Sequence, residues 1–475
     1  MSSITRNTAY MTMASIGQKI ISFVYFMLIA NHIGAESTGK YFFALAFTTV
    51  FVVFVDLGLT SVLVRESAKH REKIQSYFST ILSVKIILGI VTYIAAIVTI
   101  NLMGYPEETR YLVYLSGVTM LFDSLHLTLY GVLRAVGNLK YEAMGIVASQ
   151  LITLGFGTTF LYLNFPLIYL ILAFTISSFL NVVYVTVILY KKYKINLTPH
   201  YDKKVFMYVA KIALPFAFAA VFARVYSYID SILLSKLAGD VQVGLYSIPY
   251  KITYAFQFFP LALMAVLYPR FSEYFVSNKN KLAFVFERGV KYLLIIVMPI
   301  TFGIGVLSQD IITTLFNPEY ANSVLPLQIL LAGLIFSYIS FPIGGFLNAC
   351  NRQVTQTIIV GSVMFVNIGL NILLIPKYGV VGASLTALFG NFLLTILGYI
   401  FVPSITKISH LFILKSIFQI VISGLVMAIV VWSANLYYHF IFAIIVGALV
   451  YTMMLFMTGA ITRKQVKEAI LMVRN

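Results

Sequence analysis

Runs of about twenty apolar residues follow one another along almost the whole chain, separated by short gaps that hold most of the charge. About 20 helical residues cover a hydrocarbon layer roughly 30 Å thick. The pattern predicts fourteen such spans, seven between residues 8 and 235 and seven between residues 244 and 460. In lipid only helices and closed barrels satisfy every backbone amide, and a barrel is written as short alternating segments, which is not the pattern here. The expected fold class is an all-α polytopic membrane protein with 14 transmembrane helices. With 60% hydrophobic and only 10% charged residues, no gap has room for a separate extramembrane domain, so the function must be carried out within the bilayer.

Charge then orients the helices. Lys and Arg collect in every second gap, whereas the alternate gaps hold only Lys40, Arg110, Lys236 and Lys377. Lys and Arg mark the cytoplasmic side, so both termini are expected inside and the net charge of +17 is mostly a topology signal. Lys19 within the first run makes that run a true first helix and not a cleaved leader. No basic soluble module exists to support a nucleic-acid partner.

Two echoes recur six helices apart. GAESTGKY (34–41) matches GDVQVGLY (239–246) at both glycines and the tyrosine, and GVLRA (131–135) matches GFLNA (345–349). Six being even, two copies share one orientation, which predicts two six-helix lobes around a central cavity, over 1–195 and 205–403. An extra helix pair over 409–460 and a cytoplasmic tail over 461–475 complete the expected organisation.

With VDLGL (55–59), SYIDSILLSKLAG (227–239), GLYSIPYKI (244–252) and above all IPKYGVVGAS (375–384), the chain resembles the polysaccharide-biosynthesis flippases. These are the O-antigen repeat-unit transporters of the multidrug/oligosaccharidyl-lipid/polysaccharide exporter superfamily. The motifs are structural turns, so they specify the superfamily better than its cargo. The resemblance implies an alternating-access flippase in the cytoplasmic membrane. It would turn a polyprenyl-diphosphate-linked oligosaccharide to the outer leaflet for cell-surface polysaccharide synthesis, with a polymerase and glycosyltransferases as candidate partners.

Ionisable residues inside spans are costly and ask for a reason. The interior set is Lys19, Lys85, Lys211, Arg224 and Lys251 against Asp56, Asp123 and Asp230. A cationic excess suits a diphosphate in a low-dielectric region. Arg224, mid-way along the seventh helix, is the foremost substrate-binding candidate, joined by Lys19, Lys85 and Lys251. Lys211 near a helix end is expected to snorkel, and Lys251 and Asp230 have each other as candidate partners. Tyr228 and Tyr254, with Tyr226 and Tyr250, offer rings and hydroxyls to sugars. Asp56, Asp123, His126 and Asp230 are coupling or gating candidates. Asp123 and His126 share a helix face three residues apart, fit either for proton coupling or for a buried polar pair. Pro215 and Pro260 are candidate kinks.

No Gly-rich phosphate loop ending in Lys-Ser/Thr occurs, Cys350 is the single cysteine, and no His, Cys and carboxylate set has metal-ligand spacing. No enzymatic activity, metal or cofactor is expected. Two other cargoes fit the same plan: a cation-coupled multidrug exporter and a flippase for the lipid-linked peptidoglycan precursor. A membrane glycosyltransferase or polymerase is the reading from a different class.

Overall fold

The computed structural model describes residues 3–462, and its elements are α-helices joined by short turns. In chain order they are α1 (Ser3–Asp56), α2 (Leu59–Lys69), α3 (Ile74–Leu102), α4 (Glu107–Ala135), α5 (Lys140–Tyr162), α6 (Ile168–Tyr193), α7 (Lys203–Ala238) and α8 (Asp240–Ala255). They continue as α9 (Phe258–Ser277), α10 (Lys279–Val306), α11 (Ser308–Leu315), α12 (Val324–Ala349), α13 (Gln353–Phe401), α14 (His410–Asn435) and α15 (Phe440–Met457). Twelve continuous helical runs among the described residues are long and apolar enough to cross a membrane. The all-α polytopic expectation is met. Residues 463–475, most of the expected tail, lie outside the described residues.

Two of those runs, of 48 and 49 residues, are more than twice as long as a span needs at 1.5 Å per residue. Each is divided by one glycine with non-helical torsions: Gly34 (φ 77°, ψ 171°) in α1 and Gly379 (φ 52°, ψ −129°) in α13. Both glycines belong to motifs read from the sequence. The first echo extends to conformation, because Gly239 ends α7 with φ 88° and ψ 170°, nearly the torsions of Gly34. A side chain at that φ is strained, which explains the residue type. The second echo does the same: Gly137 after α4 (φ 77°) and Asn351 after α12 (φ 61°) are both left-handed, two residues beyond each GxLxA segment.

The repeated turns also touch. A Cβ placed on Gly39 would run into the Asp240 carbonyl, and one placed on Gly244 would run into the Ala35 carbonyl. Residue 39 stands to 244 as 35 stands to 240, so the crossing is reciprocal. Such close backbone approach is how helices associate in lipid, where burying apolar surface gives no driving force of its own.

The chain groups into two compact units, one through Gly244 and the other from Leu245. In the first, α4 packs on α1, α2, α3 and α6, α5 on α1 and α6, and α7 on α1, α2 and α3. Its core at one end gathers Leu63, Phe78, Tyr130, Leu133, Val185 and Leu189, each at most 1% exposed. In the second, α12 packs on α13, α10 on α9, α12 and α14, and α14 on α15. Phe271, Phe286 and Phe346 meet at its centre, with ring centroids 5.4 and 4.9 Å apart across the Phe346 contacts.

Candidate functional site

The apolar run from Tyr41 to Leu63 reads in the sequence as one unbroken span, but in the structure the helix stops at Asp56. Leu57 (φ 42°) and Gly58 (φ 79°) are left-handed, and α2 restarts at Leu59. This break places the Asp56 carboxylate at the first turn of α2, where it accepts a hydrogen bond from the Thr60 amide (3.3 Å) and one from the Thr60 hydroxyl. The exposed amides and dipole of a helix N-terminus favour an anion there.

Lys85 of α3 reaches into the same spot and is only 2% exposed. Its ammonium donates to Asp56 Oδ1 (2.6 Å), Thr128 Oγ1 (2.7 Å), Thr60 Oγ1 (3.0 Å) and the Ser124 carbonyl (3.3 Å). A buried ammonium is tolerated only when its donors are met and its charge is balanced. Both conditions hold, so one cation knots together the α1–α2 break, α3 and α4.

Beside this knot lies a cavity of about 340 Å3, lined by Val52, Asp56, Lys85, Ser124, Arg224 and Ser227 among others. Arg224 comes from α7, which starts at a well-made cap: Asp202 accepts hydrogen bonds from the Lys204 and Val205 amides at 2.7 and 3.3 Å. The Arg224 guanidinium stands 6.0 Å from the centre of the Tyr228 ring, at the edge of cation–π range, and no carboxylate among the described residues lies within ion-pair distance. Because Asp56 balances Lys85, the cavity carries the charge of Arg224 as its net charge. An arginine stays protonated and presents a planar fork of donors that matches a phosphate.

Of the sequence candidates, Asp56, Lys85 and Arg224 thus line one cavity, with Tyr228 beside Arg224 on α7. Asp123 and His126 form a second cluster on α4, with Nδ1 and Oδ1 3.6 Å apart and Ser178 of α6 donating to Asp123 at 2.5 Å. Lys19 on α1 is half-buried and Asp230 on α7 is buried; neither lines the cavity. Lys251 and Tyr254 belong to α8 in the second unit, where the Tyr250 and Tyr254 rings stack 5.8 Å apart. Lys211 is exposed on α7, in keeping with snorkelling. Pro260 sits in the first turn of α9, after a break at Phe256 and Gln257, where its missing amide costs nothing; the Pro215 side chain lies outside those described.

Sequence reading missed the hydroxyls that hold Lys85. Thr128 follows Ser124 by four residues on one face of α4, and Thr60 follows Asp56 by four across the break between α1 and α2. Polar pairs of that kind beside interior charges were the available signal.

The model of the polysaccharide biosynthesis protein family matches residues 4–275, which include every residue of the cavity, and the MatE model matches residues 215–373. The capsular polysaccharide biosynthesis protein CapF of Staphylococcus aureus is 25% identical over 84% of this chain and 99% of its own length. The probable low-salt glycan biosynthesis flippase Agl15 of Haloferax volcanii is also 25% identical, over 48% of this chain and 49% of its own. A solved structure of the lipid II flippase MurJ in an inward closed conformation superposes with a TM-score of 0.77, at 18% identity, over 94% of this chain and 97% of that one. The fold is therefore that of MurJ. With the family model spanning more than half of the sequence and the whole of the Arg224 cavity, this multi-pass membrane protein belongs to the polysaccharide biosynthesis protein family.

Proposed function

We propose that the protein is a flippase for a polyprenyl-diphosphate-linked oligosaccharide. In this reading it spans the cytoplasmic membrane fourteen times with both termini inside and presents the Arg224 site alternately to the two sides. The observation that carries the reading is the sign of the cavity: a guanidinium without a carboxylate partner among the described residues, set beside a lysine–aspartate pair that is already neutral. Such a site attracts a diphosphate and disfavours the organic cations that a multidrug exporter carries. The hydroxyl of Ser227 in the cavity wall and the ring of Tyr228 next to Arg224 are the neutral surfaces proposed for the first sugar. The names of CapF and Agl15 support a glycan cargo.

Asp123 and His126 are candidates for proton coupling in this scheme, and Asp56 for a gate at the α1–α2 break. Lys19, Lys251, Tyr254 and Asp230 are proposed as contacts along the rest of the substrate's path. The test is translocation of a fluorescent polyprenyl-diphosphate oligosaccharide in proteoliposomes, read by the fraction that becomes accessible to a membrane-impermeant glycosidase. Full access within minutes is expected. The same access in protein-free vesicles, or none under any imposed proton, sodium or potential gradient, refutes the reading.

A further inference from the structure

A second basic cavity, of about 240 Å3, lies within the second unit where α10, α14 and the end of α15 meet. Arg288 and Lys291 of α10 line it with Lys415, Ser416 and Gln419 of α14 and Thr462 beyond α15. Lys291 is only 6% exposed. No hydrogen bond or ion pair to its ammonium occurs among the described residues; its one contact of note is the Phe412 ring, 5.6 Å away, over which Arg288 also sits at 5.0 Å. The adjacent carboxylate, Glu287, accepts from the Ser409 amide at 2.6 Å and forms no ion pair with these cations among the described residues. Three cations therefore converge on one cavity with no acid among the described residues to balance them.

This differs sharply from Lys85, whose ammonium has four acceptors, one of them the Asp56 carboxylate that balances its charge. Lys291 is nine-tenths buried as a residue and its ammonium opens on the cavity without an acceptor among the described residues, a costly arrangement that an anion held in the cavity relieves. We propose that this cavity is a binding site for a phosphate group, separate from the Arg224 cavity. Guanidinium and ammonium donors beside Ser and Thr hydroxyls match phosphate oxygens. Strongly exposed apolar residues flank it, among them Leu411 (78%), Leu414 (63%) and Phe418 (67%) on α14. Acyl chains lie along such surfaces, so the headgroup of an acidic phospholipid is one source of the phosphate and a soluble phosphate is the other.

The experiment uses full-length protein purified in an uncharged detergent. Binding of phosphatidylglycerol, of phosphatidylcholine and of inorganic phosphate at matched ionic strength is followed by native mass spectrometry and thermal unfolding. Phosphatidylglycerol is expected to bind about tenfold or more tightly than phosphatidylcholine, and the ratio to fall towards one in Arg288→Gln and Lys415→Gln. Lys415 is exposed, so its replacement leaves folding intact and keeps the test decisive if Lys291→Gln does not accumulate. Lys211→Gln, an exposed lysine elsewhere, should change nothing. Protection by inorganic phosphate without any lipid preference supports the site with a soluble occupant. Equal binding of both lipids and of phosphate by wild type and variants overturns it, as does a preference that vanishes when residues 463–475, with their own Arg463, Lys464 and Lys467, are removed.

Discussion

Replacing Lys85 with methionine keeps a long apolar stem but removes the ammonium on which α1, α2, α3 and α4 converge. Asp56 loses its counter-ion at 2.6 Å, Thr128 and Thr60 lose a donor, and the Ser124 carbonyl loses a contact. Breaking a buried pair from one side costs about 3–5 kcal/mol. The Asp56 side chain is 33% exposed to the cavity, so water relieves part of the unpaired charge and the lower end, about 3 kcal/mol, applies. At roughly 2–4 °C per kcal/mol for a unit of this size, Lys85→Met should lower the unfolding midpoint by about 6–12 °C. The assay is thermal unfolding in detergent monitored by size-exclusion fluorescence, with membrane abundance measured in parallel. Adding Asp56→Asn to the same chain removes the orphaned charge while the amide oxygen of the new side chain still accepts from Thr60, and should restore at least half of the loss. A shift below about 2 °C for Lys85→Met, or no recovery in the double variant, refutes the knot as the element that holds the helix break in place.

Three further outcomes are expected. Gly39→Val and Gly244→Val each drive a side chain into a backbone carbonyl that cannot step aside, so neither protein should accumulate, whereas Gly369→Ala, in open space within α13, should be neutral or stabilising by up to about 1 kcal/mol; pulse-chase abundance decides. Glu66, outside the spans, is pushed up by burial, but hydrogen bonds from Tyr208 and Lys69 and the charges of Lys69 and Arg65 outweigh this and hold it below the usual carboxylate range. Its contribution is therefore full above pH about 4.5 and lost as pH falls through the depressed value, so Glu66→Gln should flatten the acid limb of stability below that pH and leave its shape near neutrality unchanged. In intact cells, with Cys350 replaced by alanine, cysteines at Asn317 and His439 should react with an impermeant thiol reagent while cysteines at Lys192 and Lys279 stay protected; external labelling of the latter two contradicts the proposed orientation.

The membrane-spanning pattern, the glycine turns at 34, 239 and 379 and the family were legible because each is written locally, in runs of apolar residues or in one backbone conformation. The break at Leu57 was not, because a leucine carries no turn signal and a single glycine such as Gly58 is common within membrane helices. Lys85 and Asp56 were both singled out as interior charges, yet their pairing joins residues 29 apart in sequence, and it depends on how α3 rotates against α1, which no single-helix pattern encodes. Arg288, Lys291 and Lys415 read as ordinary topology charges at helix ends; only packing of α10 on α14 shows that they face one cavity. Arg224 was singled out from depth alone, since a mid-span arginine has no surface to snorkel to.

The proposed flippase activity requires that arginine to meet a diphosphate. Translocation of the polyprenyl-diphosphate oligosaccharide is measured in proteoliposomes holding equal amounts of wild type, Arg224→Ala and Arg224→Lys, each with its unfolding midpoint. Arg224→Ala should keep a midpoint within about 2 °C of wild type, because no carboxylate among the described residues depends on it, and lose transport, whereas Arg224→Lys should retain part of it through the surviving charge. Undiminished transport by Arg224→Ala, or a loss of transport matched by a loss of stability and recovered with Asp123→Asn or Asp230→Asn, contradicts that requirement.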